Sequence, residues 1–175
     1  VDDTGRVGEE DLKHAITPET ILISIMHANN EIGTLQSIDK LARIARDHNI
    51  LFHTDAAQST GKIPVDVRSM GVDMLSIAGH KLYAPKGIGA LFIREGVKLE
   101  KIMHGADHER NLRAGTENVV EIVGLGKACE VAARDMEKNR EQMRSTRDSL
   151  HEKLYQALPQ IKWNGYPAPL LPNTL

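Results

Sequence analysis

The chain has 175 residues, 41% of them hydrophobic and 26% charged, with a formal net charge of −2. That composition belongs to an ordinary globular protein with room for one sizeable core. It carries no block of like charge to grip nucleic acid or an acidic membrane surface, and no apolar stretch near the roughly 20 residues of a membrane span.

Thr4-Gly5-Arg6 is turn-forming, and residues 8–15 have the pattern of a short helix. Residues 21–26 form a nearly unbroken apolar run, which predicts a strand buried on both faces. Asn29-Asn30-Glu31-Ile32-Gly33 breaks that run. Ser37 stands where an N-cap belongs, ahead of a helix whose apolar positions Ile38, Leu41, Ile44 and Ala45 fall at helical spacing. Residues 50–54 are the next strand. Residues 62–70 read as loop with one helical turn, punctuated by Pro64 and ended by Gly71. Residues 74–78 and 88–93 are two further strands. The link Ala84-Pro85-Lys86-Gly87 is too short for a crossover helix, so local antiparallel pairing is expected there.

From 117 to 158 the pattern is helical and free of proline. Val119, Ile122, Val123, Leu125, Ala128 and Val131 predict a buried face, and residues 135–147 an exposed one. The expected organisation is an α/β domain with a mainly parallel sheet over 1–116, a bridging helix over 117–158, and the beginning of a second, smaller domain over 159–175. Both ends read as cut, which gives the expectation of a central piece of a longer protein.

Strands of such sheets deliver ligand contacts beyond their carboxyl ends. Asn30, Asp55 and the pair His80-Lys81 all fall just past such ends. An amine and a carboxylate so placed suit pyridoxal phosphate. The amine holds the cofactor aldehyde, and the carboxylate keeps the ring nitrogen protonated. Each residue also has a simpler reading. Lys81 can be a lysine reaching for water from a strand end, with Lys86 a competing amine. Asp55 can be a turn residue, His53 a core histidine and Gln58 a surface glutamine. A metal site from His53, Asp55 and His80 fits no standard zinc spacing. The Arg110-to-Thr116 stretch reads either as an anion site before a helix start or as an N-capping Thr116 with solvated arginines. Cys129, the only cysteine, excludes an intrachain disulfide and reads as a buried core thiol.

Residues 26–34 (MHANNEIGT), 53–58 (HTDAAQ), 76–87 (SIAGHKLYAPKG) and 109–118 (ERNLRAGTEN) together resemble the NifS/IscS-like cysteine desulfurases, class V aminotransferases of pyridoxal phosphate fold type I. The resemblance implies a three-layer αβα fold. It implies that Lys81 is the lysine that binds the cofactor and shuttles the substrate proton, with Asp55 on the pyridinium nitrogen. Gln58 and Asn30 would then bond the ring hydroxyl, His80 the phosphate, and Thr116 the phosphate of a neighbouring subunit's cofactor in a homodimer. The implied reaction takes L-cysteine to L-alanine and passes sulfur, as a persulfide, to an acceptor or scaffold protein for iron–sulfur cluster or thio-cofactor assembly in the cytoplasm. Selenocysteine lyases and other class V enzymes are close relatives, and a catalytically incomplete scaffold fragment is a further reading.

The chain departs from the family pattern at Ala78, where a phosphate-binding serine is common. Cys129 does not match the family's persulfide cysteine, which is expected beyond Leu175 with the arginine that binds the substrate carboxylate. The family's N-terminal phosphate loop and ring-stacking histidine are expected before Val1.

Overall fold

The computed structural model describes residues 1–175. Four strands form one sheet in the order β1-β2-β3-β4. They are β1 (Leu22–Ser24), β2 (Leu51–Asp55), β3 (Met74–Ala78) and β4 (Gly89–Ile93). β1 with β2 and β2 with β3 are parallel, whereas β3 with β4 is antiparallel. The strand and helix alternation and the short link before β4 predict this arrangement.

Helices α1 (Glu9–Ala15), α2 (Ile38–Asp47) and α3 (Val67–Met70) come from the same half of the chain as the parallel strands. The main core gathers Leu12 of α1, the apolar stripe Ile38, Leu41, Ala42, Ile44 and Ala45 of α2, Met70 of α3 and one face of the sheet through Ile23, Phe52 and Leu75. Burying such a stripe against a sheet face is what holds a βαβ unit together. Gly71 ends α3 in the left-handed region (φ 67°), where glycine carries no side-chain penalty.

Several local expectations are corrected. β1 is exposed, buried, exposed along its length, with Ile21 and Leu22 82% and 46% exposed. The helices of this chain cover the face carrying Ile23 and leave the face carrying Leu22 open. Ser37 precedes α2 but makes no side-chain capping bond, because its hydroxyl accepts from the Arg6 guanidinium instead. Asn118, rather than Thr116, caps the long helix Val119–Ala157 by accepting from the Glu121 N–H at 3.4 Å.

The long helix buries only Leu125 fully. Val119, Ile122 and Val123 stay exposed, against the expected apolar face. Its packing comes one turn later. Leu125, Ala128, Cys129 and Ala132 meet Leu82 and Ala84 in a second, smaller cluster. Cys129 is therefore half-buried at the edge of that cluster, and not enclosed in the core. The tail returns to the first half of the chain. Leu35 N–H donates to the Pro169 carbonyl and Leu171 N–H to the Gly33 carbonyl, both at 2.8 Å. Arg147 lies over the Trp163 ring and donates to the Leu171 carbonyl at 2.9 Å, which ties the tail to the long helix as well.

Strand register is fixed at the amino ends by Asp73. Its carboxylate accepts from the Phe52 backbone N–H at 2.7 Å and from Arg94 Nε at 2.7 Å, so a single side chain joins β2, β3 and β4. Asp73 is buried while the Arg94 side chain is 57% exposed. The backbone bond is thus the protected one, and the ion pair is largely screened. His27 makes the corresponding link at the carboxyl ends. Its Nδ1 lies 2.9 Å from Ser59 Oγ. Burial holds its imidazole below the ordinary value of 6.5.

Two outcomes follow for urea unfolding. Asp73→Ala strands a buried N–H and costs about 2 kcal/mol, whereas Arg94→Ala costs less than about 1 kcal/mol. Equal losses would show that the exposed ion pair carries the clamp. The folded state also disfavours protonated His27, so its contribution is complete above pH 6.5 and declines as pH falls through and below that value. His27→Gln therefore flattens the stability profile below neutral pH. Parallel profiles for the two proteins would exclude this role.

Candidate active site

Parallel pairing places Asp55, the last residue of β2, beside Ser76 of β3. Two residues after Ser76 the strand ends at Ala78, and the chain turns through one 3-10 turn, Gly79–Leu82, that carries His80 and Lys81. The carboxylate and the amine thus leave adjacent strands at one sheet edge. The turn is seated by Leu82, which is buried against Leu125 of the long helix. Gly79 lets the segment leading into β4 pass close to the start of the turn, since a Cβ there would meet the Ile88 carbonyl oxygen at 2.7 Å.

Asp55 is exposed. Its Oδ1 accepts from the Ala57 N–H at 2.8 Å, closing a turn, and Oδ2 has no protein partner. The turn residue and the candidate ligand are therefore one and the same side chain. The following residues coil tightly. The Ala56 carbonyl accepts from the Thr60 N–H at 3.0 Å and the Thr60 hydroxyl at 2.9 Å, with Ala56 itself wholly buried. Gln58 is half-buried, and its carbonyl accepts from Lys62 Nζ at 2.8 Å. Its side-chain amide has no partner within the chain.

Lys81 has no ion pair or hydrogen bond. It walls a cavity of about 690 Å³ between the 3-10 turn and the long helix, together with Lys62, Tyr83, Lys127, Asn139 and Gln142 over an apolar floor that includes Leu82, Val131 and Met143. A volume of that order suits a small organic ligand. Asp55, Gln58, Asn30, His80 and Thr116 do not line it. Asn30 and His80 are exposed with free polar ends, near the β1 and β3 ends respectively. Asn29, not Asn30, makes the turn, accepting from the Glu31 and Ile32 N–H groups. Thr116 stands apart on an exposed loop before the long helix. Arg110 there adopts positive φ, and Arg113 donates to the Ala114 carbonyl at 3.0 Å.

His53, weighed above as a core histidine or a metal ligand, has both ring nitrogens within hydrogen-bond distance of serine hydroxyls. Its ring bridges Ser24 Oγ on β1 and Ser76 Oγ on β3, each at 2.8 Å. Both ring nitrogens are thereby engaged, and the ring ties three strands on the same sheet face as Asp55. Sequence reasoning passed over this bridge and over Lys62. A serine at matching positions of two strands flanking a histidine was the available signal for the first. Lys62 gave none, because its proximity to Lys81 is purely tertiary.

The sequence profile described as "Aminotransferase class-V" matches residues 1–174. The cysteine desulfurase IscS of Dictyoglomus turgidum is 49% identical over the whole chain, which covers 44% of that protein. Among solved structures, a NifS-like protein from Rickettsia africae superposes with a TM-score of 0.93 at 30% identity, over 98% of this chain and 48% of its own. A structure described as SspA in complex with cysteine is 47% identical over 74% of this chain and 38% of its own, with a TM-score of 0.71. The chain thus spans less than half the length of the relatives it matches.

Proposed function

The chain belongs to the class V aminotransferase family, and on that premise we propose that the whole protein is a pyridoxal phosphate-dependent cysteine desulfurase. It takes L-cysteine to L-alanine and passes the sulfur, as an enzyme persulfide, to an acceptor protein for iron–sulfur cluster or thio-cofactor assembly. The observation that carries the reading is the delivery of Asp55 and Lys81 from neighbouring parallel strand ends, in a chain 49% identical to a protein named cysteine desulfurase.

In residue type the donor set fits the cofactor, although of these residues Lys81 alone lines the cavity described above. A carboxylate with one free oxygen, a free side-chain amide at Gln58, a second at Asn30, an exposed imidazole at His80 and an unpaired amine at Lys81 match a ring that offers a nitrogen, a hydroxyl, an aldehyde and a phosphate. When bound, pyridoxal phosphate supplies an electron sink for charge left at the substrate α-carbon. Lys81 supplies the amine that holds it and then carries the α-proton. Asp55 keeps a proton on the ring nitrogen, and its turn with Ala57 fixes the carboxylate before any ligand arrives. Gln58 and Asn30 donate to the ring hydroxyl. His80 binds the phosphate, and Thr116 reaches the phosphate of a partner subunit in a homodimer. Ala78 offers no hydroxyl for that phosphate, so His80 carries more of the load in this chain.

Residues 1–116 form the cofactor-binding part in this reading, 117–158 the connecting helix, and 159–175 the start of a smaller domain. No helix is long and apolar enough to cross a membrane. A cytoplasmic setting suits a chain with one unpaired cysteine.

In the full-length protein, borohydride treatment in the presence of pyridoxal phosphate fixes the cofactor on the peptide carrying Lys81. Lys81→Ala loses that mass increment entirely. Asp55→Ala retains the increment and loses about 100-fold in turnover. A Lys81→Ala protein that still carries the cofactor covalently, or an Asp55→Ala protein with full turnover, would contradict the assigned roles.

A further inference from the structure

We propose that Arg147 is a positioning residue for the hairpin that carries Asn30, acting through the tail segment it clasps. The inference rests on the cofactor role of Asn30 given above. Residues 27–36 fold back on themselves. Ala28 and Leu35 pair in an antiparallel bridge, and the Gln36 N–H donates to the His27 carbonyl and the Asn29 N–H to the Thr34 carbonyl, each at 2.9 Å. Asn30 stands exposed at the tip. The base of the hairpin is tied to the candidate site, because the His27 N–H donates to the Asp55 carbonyl at 2.9 Å. Its returning strand is tied to the tail. The Leu35 N–H donates to the Pro169 carbonyl and the Leu171 N–H to the Gly33 carbonyl, both at 2.8 Å, with Thr34 and Leu170 paired between them. Gly33 has φ 72°, and a Cβ there would lie 2.6 Å from that of Thr174, so glycine lets the tail close on the tip.

One side chain of the long helix holds the tail in that place. The Arg147 side chain is only 13% exposed. Its Nε and Nη2 reach the Asp148 carboxylate at 2.8 and 2.7 Å, and its guanidinium carbon lies 5.4 Å from the centre of the Trp163 ring. With those contacts made, Nη1 is left aimed at the Leu171 carbonyl, 2.9 Å away. Leu171 is 1% exposed, so its carbonyl loses a charged donor in a place closed to water when Arg147 is removed. The Thr34 hydroxyl and Gln36 Nε2 also hold the returning strand, donating to the Thr4 and Gly5 carbonyls at 2.7 Å. Gly33 is nearer the tip than either, and its one bond outside the hairpin is the bond from Leu171. The same helix seats the Lys81 turn through Leu125 and Leu82. A single rigid element therefore sets the place of two proposed cofactor contacts.

The test is amide hydrogen exchange in the full-length protein, followed by cofactor dissociation, with wild type, Arg147→Met and Arg147→Lys compared. In Arg147→Met the Leu35 and Leu171 amides exchange about tenfold faster, while those of Leu41 and Ala42 in α2 keep their wild-type rates. Arg147→Lys keeps a charged donor for the Leu171 carbonyl and restores the protection. Pyridoxal phosphate leaves Arg147→Met about tenfold faster than it leaves wild type, and the substitution adds nothing further in an Asn30→Ala background. Unchanged exchange at Leu35 and Leu171 would overturn the inference. So would faster exchange throughout α2, which would assign a general loss of stability. An Arg147→Lys protein that behaves as Arg147→Met would place the effect on packing against Trp163 and overturn the clasp. Additive losses with Asn30→Ala would remove the positioning role. Should Arg147→Met fail to fold, Arg147→Gln, with its shorter uncharged side chain, carries the same expectation. Wild-type protein that takes up no pyridoxal phosphate marks the failure of the cofactor reading itself, and the role at Asn30 then falls even where the exchange result stands.

Discussion

The parallel register of β2 against β3 is the constraint on which the site depends. Because side chains alternate faces along a strand, a slip of one residue would turn Asp55 from the open face into the core and bring Thr54 out. Two devices prevent that slip. At the amino ends the Asp73 carboxylate holds the Phe52 N–H and reaches across to Arg94. Midway along, His53 spans Ser24 and Ser76. Each bond lies across strands, so each defines register directly. Apolar packing of Phe52 and Leu75 against α2 fixes which face is buried but tolerates small displacements along the strand. Polar bonds with narrow geometry supply the alignment that packing leaves soft.

Much of the architecture was legible because apolar runs and their breaks map directly onto strands and turns. β3 occupies Met74–Ala78 as its composition predicts, and the short proline-glycine link before β4 gives the antiparallel pair. What failed were inferences that need the identity of a neighbour. An unbroken apolar run at 21–26 has the signature of a strand covered on both sides, yet coverage is supplied by other segments, and here only one face receives it. Ser37 has the right residue type for a cap, but the Arg6 guanidinium competes for the same hydroxyl. Val119, Ile122 and Val123 have helical spacing, yet the helix makes its contact with the 3-10 turn further along, at Leu125 and Ala128. The candidate site was legible as residue types at strand ends. Its cavity was not, since its wall joins residues 61 and 143 of a folded chain.

The open sheet face and the exposed start of the long helix belong to one pattern. Leu22 and Leu91 on the sheet, and Val119 and Val123 on the helix, are between 46% and 81% exposed along with Val120 beside them. Apolar groups in such numbers, next to a sheet whose other face is well packed, are surfaces that acquire cover in a complete assembly. This agrees with a chain that covers 44% of the Dictyoglomus turgidum relative. Asp55 sits on the same open face. Cover over that face would also exclude water from around the carboxylate and so strengthen its proposed interaction with a protonated ring nitrogen.

Sulfur transfer needs a thiolate that can approach the substrate and then leave with its cargo. Cys129 meets neither requirement. It lies inside a 39-residue helix, half-buried beside the cluster of Leu82, Ala84 and Leu125. A helical residue packed in this way cannot swing toward the edge where Asp55 and Lys81 emerge without unwinding the helix or opening that cluster, and the same cluster seats the turn bearing Lys81. Movement of Cys129 would therefore disturb the turn that bears Lys81. Reactive thiols instead occupy accessible, adaptable positions. In the proposed reaction Cys129 is therefore not suited to the sulfur-accepting role.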